Sequence, residues 1–326
     1  GGCIEIREGN LDIYGGNIGY ANCENGGVAY LKSKQSKMNI YGGSLCENTV
    51  KNGGAVYINS DNIGQDYIGT VMMYGGVIEN NNAEENGGAV YVAGDEYEGT
   101  GFNLTDGIIR KNSATGNGGA IFLYIGRGLS VSGGTISENT AENGGGIYSN
   151  KKTTAGRPSM VKISGGVISK NHANELGGGI HLNGARINGN NKFSGCEISE
   201  NTAKYGGGIY IEFGEIGSFE NNIVSGNKAE IDGGGIYLRT DTFNLSTGSK
   251  VYNNTASGNG GGIYACAYSN TSKLTVSENA DIYENKANAS GGGIYITLGR
   301  SLEIGGSSQI RNNSAGEAGG IAVMDG

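Results

Sequence analysis

Two histidines, His172 and His181, are all that 326 residues offer as ready general bases, so any acid–base chemistry would have to run on carboxylates. The strings expected of a polygalacturonase-like site, Asn-Thr-Asp, Gly-His-Gly and an Arg-x-Lys segment, do not occur, and no group of aspartates beside an arginine suggests pectate-lyase-like calcium chemistry. Gly-x-Ser-x-Gly, His-Glu-x-x-His and the Gly-Lys pair are absent as well, which removes the usual serine hydrolase, zincin and P-loop readings. Cys3, Cys23, Cys46, Cys196 and Cys266 contain no Cys-x-x-Cys and share no repeat position. They suggest neither a zinc site nor a disulfide framework, and leave a bridge between Cys23 and Cys46 open.

The elements that must carry any site follow from a repeat. Gly-Gly-x-apolar-aromatic starts at Gly1, Gly26, Gly53, Gly87, Gly118, Gly144, Gly177, Gly206, Gly233, Gly260, Gly291 and Gly319, with degenerate ends. The mean period is about 29 residues. Ahead of it runs aliphatic-x-x-Asn, ending at Asn48, Asn81, Asn112, Asn139, Asn171, Asn201, Asn227, Asn254, Asn285 and Asn313. Before that lies a short alternating stretch such as Val161-Lys162-Ile163. Alternation with no i+3/i+4 stripe excludes helix, and each repeat reads as three short strands. A unit this small cannot bury its apolar face alone. The expectation is therefore all-β: a right-handed parallel β-helix of about eleven coils, continuous over residues 1–326.

Composition fits that reading. Glycine supplies 65 residues, and proline one, Pro158, which falls in an inter-coil loop. The Gly-Gly positions serve corners needing positive φ or a flat backbone, with Ala55, Ala89 and Ala120 marking a limit on size at the third position. The ten asparagines sit at a corner where αL geometry is tolerated, and their amides should bond from coil to coil as an asparagine ladder. Both histidines are expected as substitutions within ladders: His181 stands in a tyrosine column, and His172 between Asn171 and Ala173. Glu47, Glu138, Glu200 and Glu284 share one column with Lys111, Lys170 and Gly226, which makes a solvated mixed-charge face.

One outward column has the chemistry of a binding surface. It carries Tyr57, Tyr91, Tyr148, Tyr210, Tyr237, Tyr264 and Tyr295, with Tyr30, Phe122 and His181 in the same place. Apolar rings with hydroxyl tips suit sugars and protein partners, and mutual stacking that stiffens the rod accounts for the same pattern. Variable loops follow this column along one edge. Those after Tyr57 and Tyr91 bring Asp61, Asp66, Asp95, Glu96 and Glu98 near one another, a hard-oxygen set suited to weak Ca2+ binding. No other cofactor is expected. The β-roll calcium signature and the regular threonine columns of ice-binding β-helices are both missing.

Aliphatic-x-x-Asn followed by Gly-Gly-[Ala/Gly]-[Ile/Val] resembles the repeats of the polymorphic outer membrane protein family and of bacterial right-handed β-helix adhesin-like surface proteins. The family's first motif usually has Phe where this chain has Ile, Leu or Val. The resemblance implies a secreted or surface-displayed segment of a longer protein, attached through a region outside this sequence, that binds a carbohydrate or protein ligand on a host or neighbouring cell or acts as a rigid spacer. A net charge of −8 disfavours nucleic acid, and no apolar run is long enough for membrane insertion. Two alternatives remain beside the adhesin: a polysaccharide-degrading, pectin-lyase-like enzyme and a self-assembling filament segment stacked end to end.

Overall fold

Alternation of buried and outward residues decides the architecture. In Val56–Ile58 the two aliphatics are fully buried while Tyr57 faces out, and the same pattern recurs in Val90–Val92 and Ile294–Ile296. The computed structural model describes residues 4–33, 35–59, 69–93, 100–124, 128–150, 159–184, 186–187, 193–213, 215–216, 219–267, 269, 272–297 and 299–324. Every element among them is a β-strand, and every pairing is parallel, with strands stacking on the equivalent strands of neighbouring coils. The chain is a parallel β-solenoid. No helix of the described residues is long and apolar enough to cross a membrane, which says nothing of β-barrel spans.

Two compact units make up the chain, Gly1–Val167 and Ile168–Gly326. In the first unit, the sheet that follows the Gly-Gly pairs runs from Ile4–Ile6 to Ile147–Ser149, and a second sheet runs from Gly9–Ile13 to Met160–Ile163. A third sheet holds Ser44–Cys46 and its equivalents, and a fourth holds Thr49–Asn52 and its equivalents. The second unit repeats this plan, its first sheet running from Ile180–Asn183 to Ile321–Val323. One additional short pair, Arg186–Ile187 with Glu215–Ile216, sits beside its second sheet. Phe193, Phe219 and Phe243 fill the interior there, with ring centroids 5.8 and 5.5 Å apart.

Each coil thus has four strands where the sequence reading gave three. The additional strand follows the ladder asparagine and is only two to five residues long, as in Thr255–Ala256 and Asn82–Asn86. It buries a single small column, Ala83, Ala114 and Ala141 in the first unit. Alanine every coil carries too weak a period-two signal to mark a strand.

The corner between third and fourth sheets is where the coil turns. Positive φ is taken by the residue before each ladder asparagine, Glu47 at 57°, Lys111 at 54°, Glu200 at 55° and Glu284 at 55°, rather than by the asparagine as the sequence suggested. Placing a non-glycine residue in this region costs about 1–2 kcal/mol. What it accomplishes is to swing the next side chain inward, into the stack, while its own points out. Asn81, Asn112, Asn201, Asn227 and Asn254 are no more than 1% exposed.

Buried amides must be satisfied, and the stack satisfies them along its length. The Nδ2 of Asn227 donates to Asn254 Oδ1 at 3.0 Å and to the Ile198 carbonyl at 2.9 Å, and its backbone N–H reaches the same Asn254 Oδ1 at 2.9 Å. The pattern repeats from Asn48 through Asn139 in the first unit and from Asn171 through Asn313 in the second. Ala21 occupies the column one coil earlier and donates its backbone N–H to Asn48 Oδ1.

The Gly-Gly pairs are set by the turn and by the close approach of the next coil's backbone. Gly53 has φ +64°. A Cβ on Gly54 would lie 2.7 Å from Asn81 Cβ and collide with the Gly88 carbonyl. At the third position Ala55, Ala89 and Ala120 fit in the first unit, whereas a Cβ on Gly235 in the second would stand 3.1 Å from the Asn254 amide carbon. Replacing Asn227 with alanine strands its neighbours' buried donors and acceptors. The Asn227→Ala chain is expected to lose about 1–3 kcal/mol in urea unfolding, and an unchanged midpoint would remove the ladder from the account.

Candidate functional site

The outward tyrosine column is set by register. Tyr57 pairs with Tyr91 and Tyr91 with Phe122 in one unit, and Tyr210, Tyr237, Tyr264 and Tyr295 are successive partners in the other. Their rings stack: centroids are 4.8 Å apart for Tyr57–Tyr91, 4.7 Å for Tyr210–Tyr237, 4.6 Å for Tyr237–Tyr264 and 5.1 Å for Tyr264–Tyr295, with planes within 17°. Tyr148 stacks on Phe122 at 5.4 Å. Stacking along the strand-pairing direction turns each ring face toward its neighbour. Tyr57, Tyr91, Tyr237, Tyr264 and Tyr295 offer ring edges and phenolic oxygens at the surface, whereas Tyr148 and Tyr210 are buried. Burial raises the Tyr91, Tyr210, Tyr237 and Tyr264 phenols above their ordinary pKa, so the row stays neutral and donor-competent at physiological pH.

Polar groups gather beside this row in the second unit. His181, in the tyrosine column, lies edge-on to Tyr210 with centroids 5.0 Å apart, and its Nε2 is 3.4 Å from Glu212 Oε1. The other Glu212 oxygen is 3.8 Å from an Arg239 nitrogen. Two coils on, Cys266 Sγ contacts the Leu238 carbonyl at 3.3 Å and the Tyr237 hydroxyl at 3.9 Å. Arg300 is buried and clasps the Thr240, Cys266 and Lys273 carbonyls, a desolvated position that lowers its pKa to about 10. His181 is enclosed and burial lowers its proton affinity, while burial of the partly exposed Cys266 raises its thiol above the ordinary value.

Two surface features escaped the sequence reading. Tyr14, Tyr41 and Tyr74 form another stack, with centroids 4.9 and 5.2 Å apart, and are 75%, 44% and 42% exposed. The signal was Tyr-Gly-Gly at three successive corners, which fades to Thr105, Ser132 and Ser164 in later coils. A second asparagine ladder runs along the residue preceding Gly-Gly from Asn52 to Asn143. Asn117 donates to Asn86 Oδ1 from its backbone at 2.9 Å and its amide at 3.2 Å, and Asn143 Nδ2 reaches Asn117 Oδ1 at 2.9 Å. Asp232 holds this place in the other unit, accepting two bonds from Asn259.

The remaining sequence candidates sort by face. The mixed-charge column holds weak pairs between adjacent coils, Lys111–Glu138 at 4.0 Å and Lys170–Glu200 at 3.7 Å. His172 is exposed, its Nδ1 2.8 Å from the Thr202 hydroxyl. Cys23 shares the column of Val50 and Ala83, whereas Cys46 stands on the outward side of its strand, so the two do not bridge. Cys196 is buried, which pushes its thiol up to about 12. Asp61, Asp66, Asp95, Glu96 and Glu98 lie outside the described residues, as do Cys3 and Pro158. Among the described residues, no three His, Cys, Asp or Glu side chains come together as a metal site.

Residues 106–124 and 249–266 match the Chlamydia polymorphic membrane protein repeat. Each stretch holds one ladder asparagine, Asn112 or Asn254, and the Gly-Gly pair after it, so the match falls on the two features that close a coil. The chain is a parallel β-solenoid of repeats like those of the polymorphic membrane proteins. Neither a curated protein nor a solved structure matches it.

Burial lowers the proton affinity of His181, against the opposing pull of Glu212. The unfolded chain binds that proton near pH 6.5 and the folded chain only at lower pH. Stability contributed by the neutral imidazole is therefore present above about pH 6.5 and falls as pH drops toward the folded value. His181→Tyr, which restores the residue of the column, should flatten the pH dependence of the melting temperature between pH 7 and 5.5 relative to the parent; identical slopes would contradict the assignment.

Proposed function

We propose that this chain is a non-catalytic, cell-surface solenoid segment that presents its outer aromatic row and edge loops to a carbohydrate or protein ligand on a host or neighbouring cell. The observation that carries the reading is the row itself: stacked tyrosines running along a rigid sheet, in repeats similar to those of polymorphic membrane proteins. Because the ring faces are taken up by one another, contact runs through ring edges and hydroxyls, which suit hydroxyl-rich or peptide surfaces. The same stiffness suits a spacer that holds another region away from the cell. An outer-surface location and attachment through a region outside this chain belong to the same proposal.

Beads coated with the chain, applied to a glycan array and to cultured epithelial cells, test it. Tyr237→Ser with Tyr264→Ser should lower binding at least about fivefold while circular dichroism stays that of a β-solenoid. Binding unaffected by the double variant would contradict the aromatic row as the contact surface, and absence of binding by the parent would leave the spacer role. Cleavage of polygalacturonate, alginate or capsule preparations at enzyme-like rates would overturn the non-catalytic reading.

A further inference from the structure

The position preceding Gly-Gly combines two residues for independent physical reasons. Asparagine is there because its amide bonds along the second ladder, and glycine follows because φ is +64° at Gly53, +68° at Gly87, +69° at Gly118 and +66° at Gly260. Together they make Asn-Gly, the dipeptide in which backbone attack on the side-chain amide is least hindered. The fold's own corner installs this pair at Asn25, Asn52, Asn86, Asn117, Asn143 and Asn259. Asn183-Gly184 and Asn188-Gly189 are further pairs outside the column, the second outside the described residues.

In that reaction the glycine backbone nitrogen, having lost its proton, attacks Asn Cγ. The N–Cγ bond forms, the Cγ–Nδ2 bond breaks and ammonia departs with the proton. Water then opens the resulting succinimide at either carbonyl, leaving aspartate or isoaspartate. At Asn52, Asn117 and Asn259 both participants are held in the stack. The attacking nitrogens of Gly53, Gly87, Gly118 and Gly260 donate to carbonyls of the following coil at 3.0, 2.9, 2.9 and 3.0 Å. The leaving amides of Asn52, Asn117, Asn143 and Asn259 are bonded to Glu85, Asn86, Asn117 and Asp232.

We propose that Asn52, Asn86, Asn117 and Asn259 are latent deamidation sites that the second ladder holds shut, so that they react only when a coil opens. Isoaspartate adds a carbon to the backbone and cannot return to the register, so a coil that has opened and reacted is permanently marked. Asp232 shows what the column accepts without that lengthening: a carboxylate that receives two N–H bonds. Asn25 and Asn183 are internal controls. Their glycines also donate to a neighbouring coil, but the Asn25 amide makes no side-chain bond among the described residues and Asn183 Oδ1 is unpartnered.

The test is site-resolved. The full chain is kept in warm, mildly alkaline buffer, native or unfolded in urea, and aspartate and isoaspartate at each Asn-Gly are measured by peptide mapping. The native chain should react at Asn52, Asn86, Asn117 and Asn259 at least about tenfold more slowly than the unfolded chain, as opening-limited chemistry requires. Asn25 and Asn183 should be protected less. Asn112→Ala, which weakens the buried ladder in the coil of Asn117, should speed reaction at Asn117 and leave Asn259 unchanged. Reaction of the laddered sites at the unfolded rate, equal protection at Asn25 and Asn183, or no local effect of Asn112→Ala would each overturn the proposal.

Discussion

A buried primary amide has two donors and an acceptor that water cannot reach, and at Asn227 all of them are met by adjacent coils. That one requirement organises the solenoid. It fixes the register between coils, because a slip by one residue would turn the asparagine outward and an outward residue in. It imposes the αL residue that precedes each ladder position, at about 1–2 kcal/mol apiece. It also crowds the facing third position, where a Cβ on Gly235 would stand 3.1 Å from the Asn254 amide carbon, while the Gly-Gly pair itself is set by positive φ and by the next coil's backbone carbonyls. The aliphatic interior supplies most of the free energy of stacking, but non-directional burial alone would tolerate many registers.

Once the corner is fixed, much of the surface follows without separate design. Equivalent residues stack at the spacing of parallel strands, so a tyrosine repeated in each coil becomes a ladder and charges of opposite sign become cross-coil pairs such as Arg110–Glu79 and Lys204–Glu175. Coil lengths can vary, because register partners may be 34 residues apart, as Val56 and Val90 are, or 26, as Ile121 and Ile147 are, with the difference accommodated in the loops after the tyrosine column. Specificity for a ligand would then reside where the repeat allows variation, in those loops and in the neighbours of the aromatic row.

Sequence made the fold legible wherever one residue type recurs for one physical reason. Asn81 and its equivalents were readable as a ladder because only an amide can both donate and accept along a stack, and the tyrosine column because aromatic residues alternate with aliphatic ones. Where the same position is met by different residues, the signal was lost. Glu47, Asn80, Lys111 and Gly226 share a positive φ but no chemistry, so the strained residue was misplaced onto its neighbour. Asn86, Leu176, Tyr205, Asp232 and Ser290 occupy one position with five side-chain types, and the short alanine strand has almost no hydrophobic period. The surface stack Tyr14–Tyr41–Tyr74 spans only three coils, too few to stand out from the repeat.

Cooperative bonding between adjacent ladder amides is the claim on which the rest stands, and a double-mutant cycle reaches it most directly. Unfolding free energies of Asn227→Ala, Asn254→Ala and their double variant should give a coupling of about 0.5–3 kcal/mol, the range for residues in one hydrogen-bond network, whereas Asn201→Ala with Asn285→Ala, three coils apart, should be additive. Additivity within about 0.5 kcal/mol for the adjacent pair would mean that each asparagine is satisfied within its own coil, and would contradict the account.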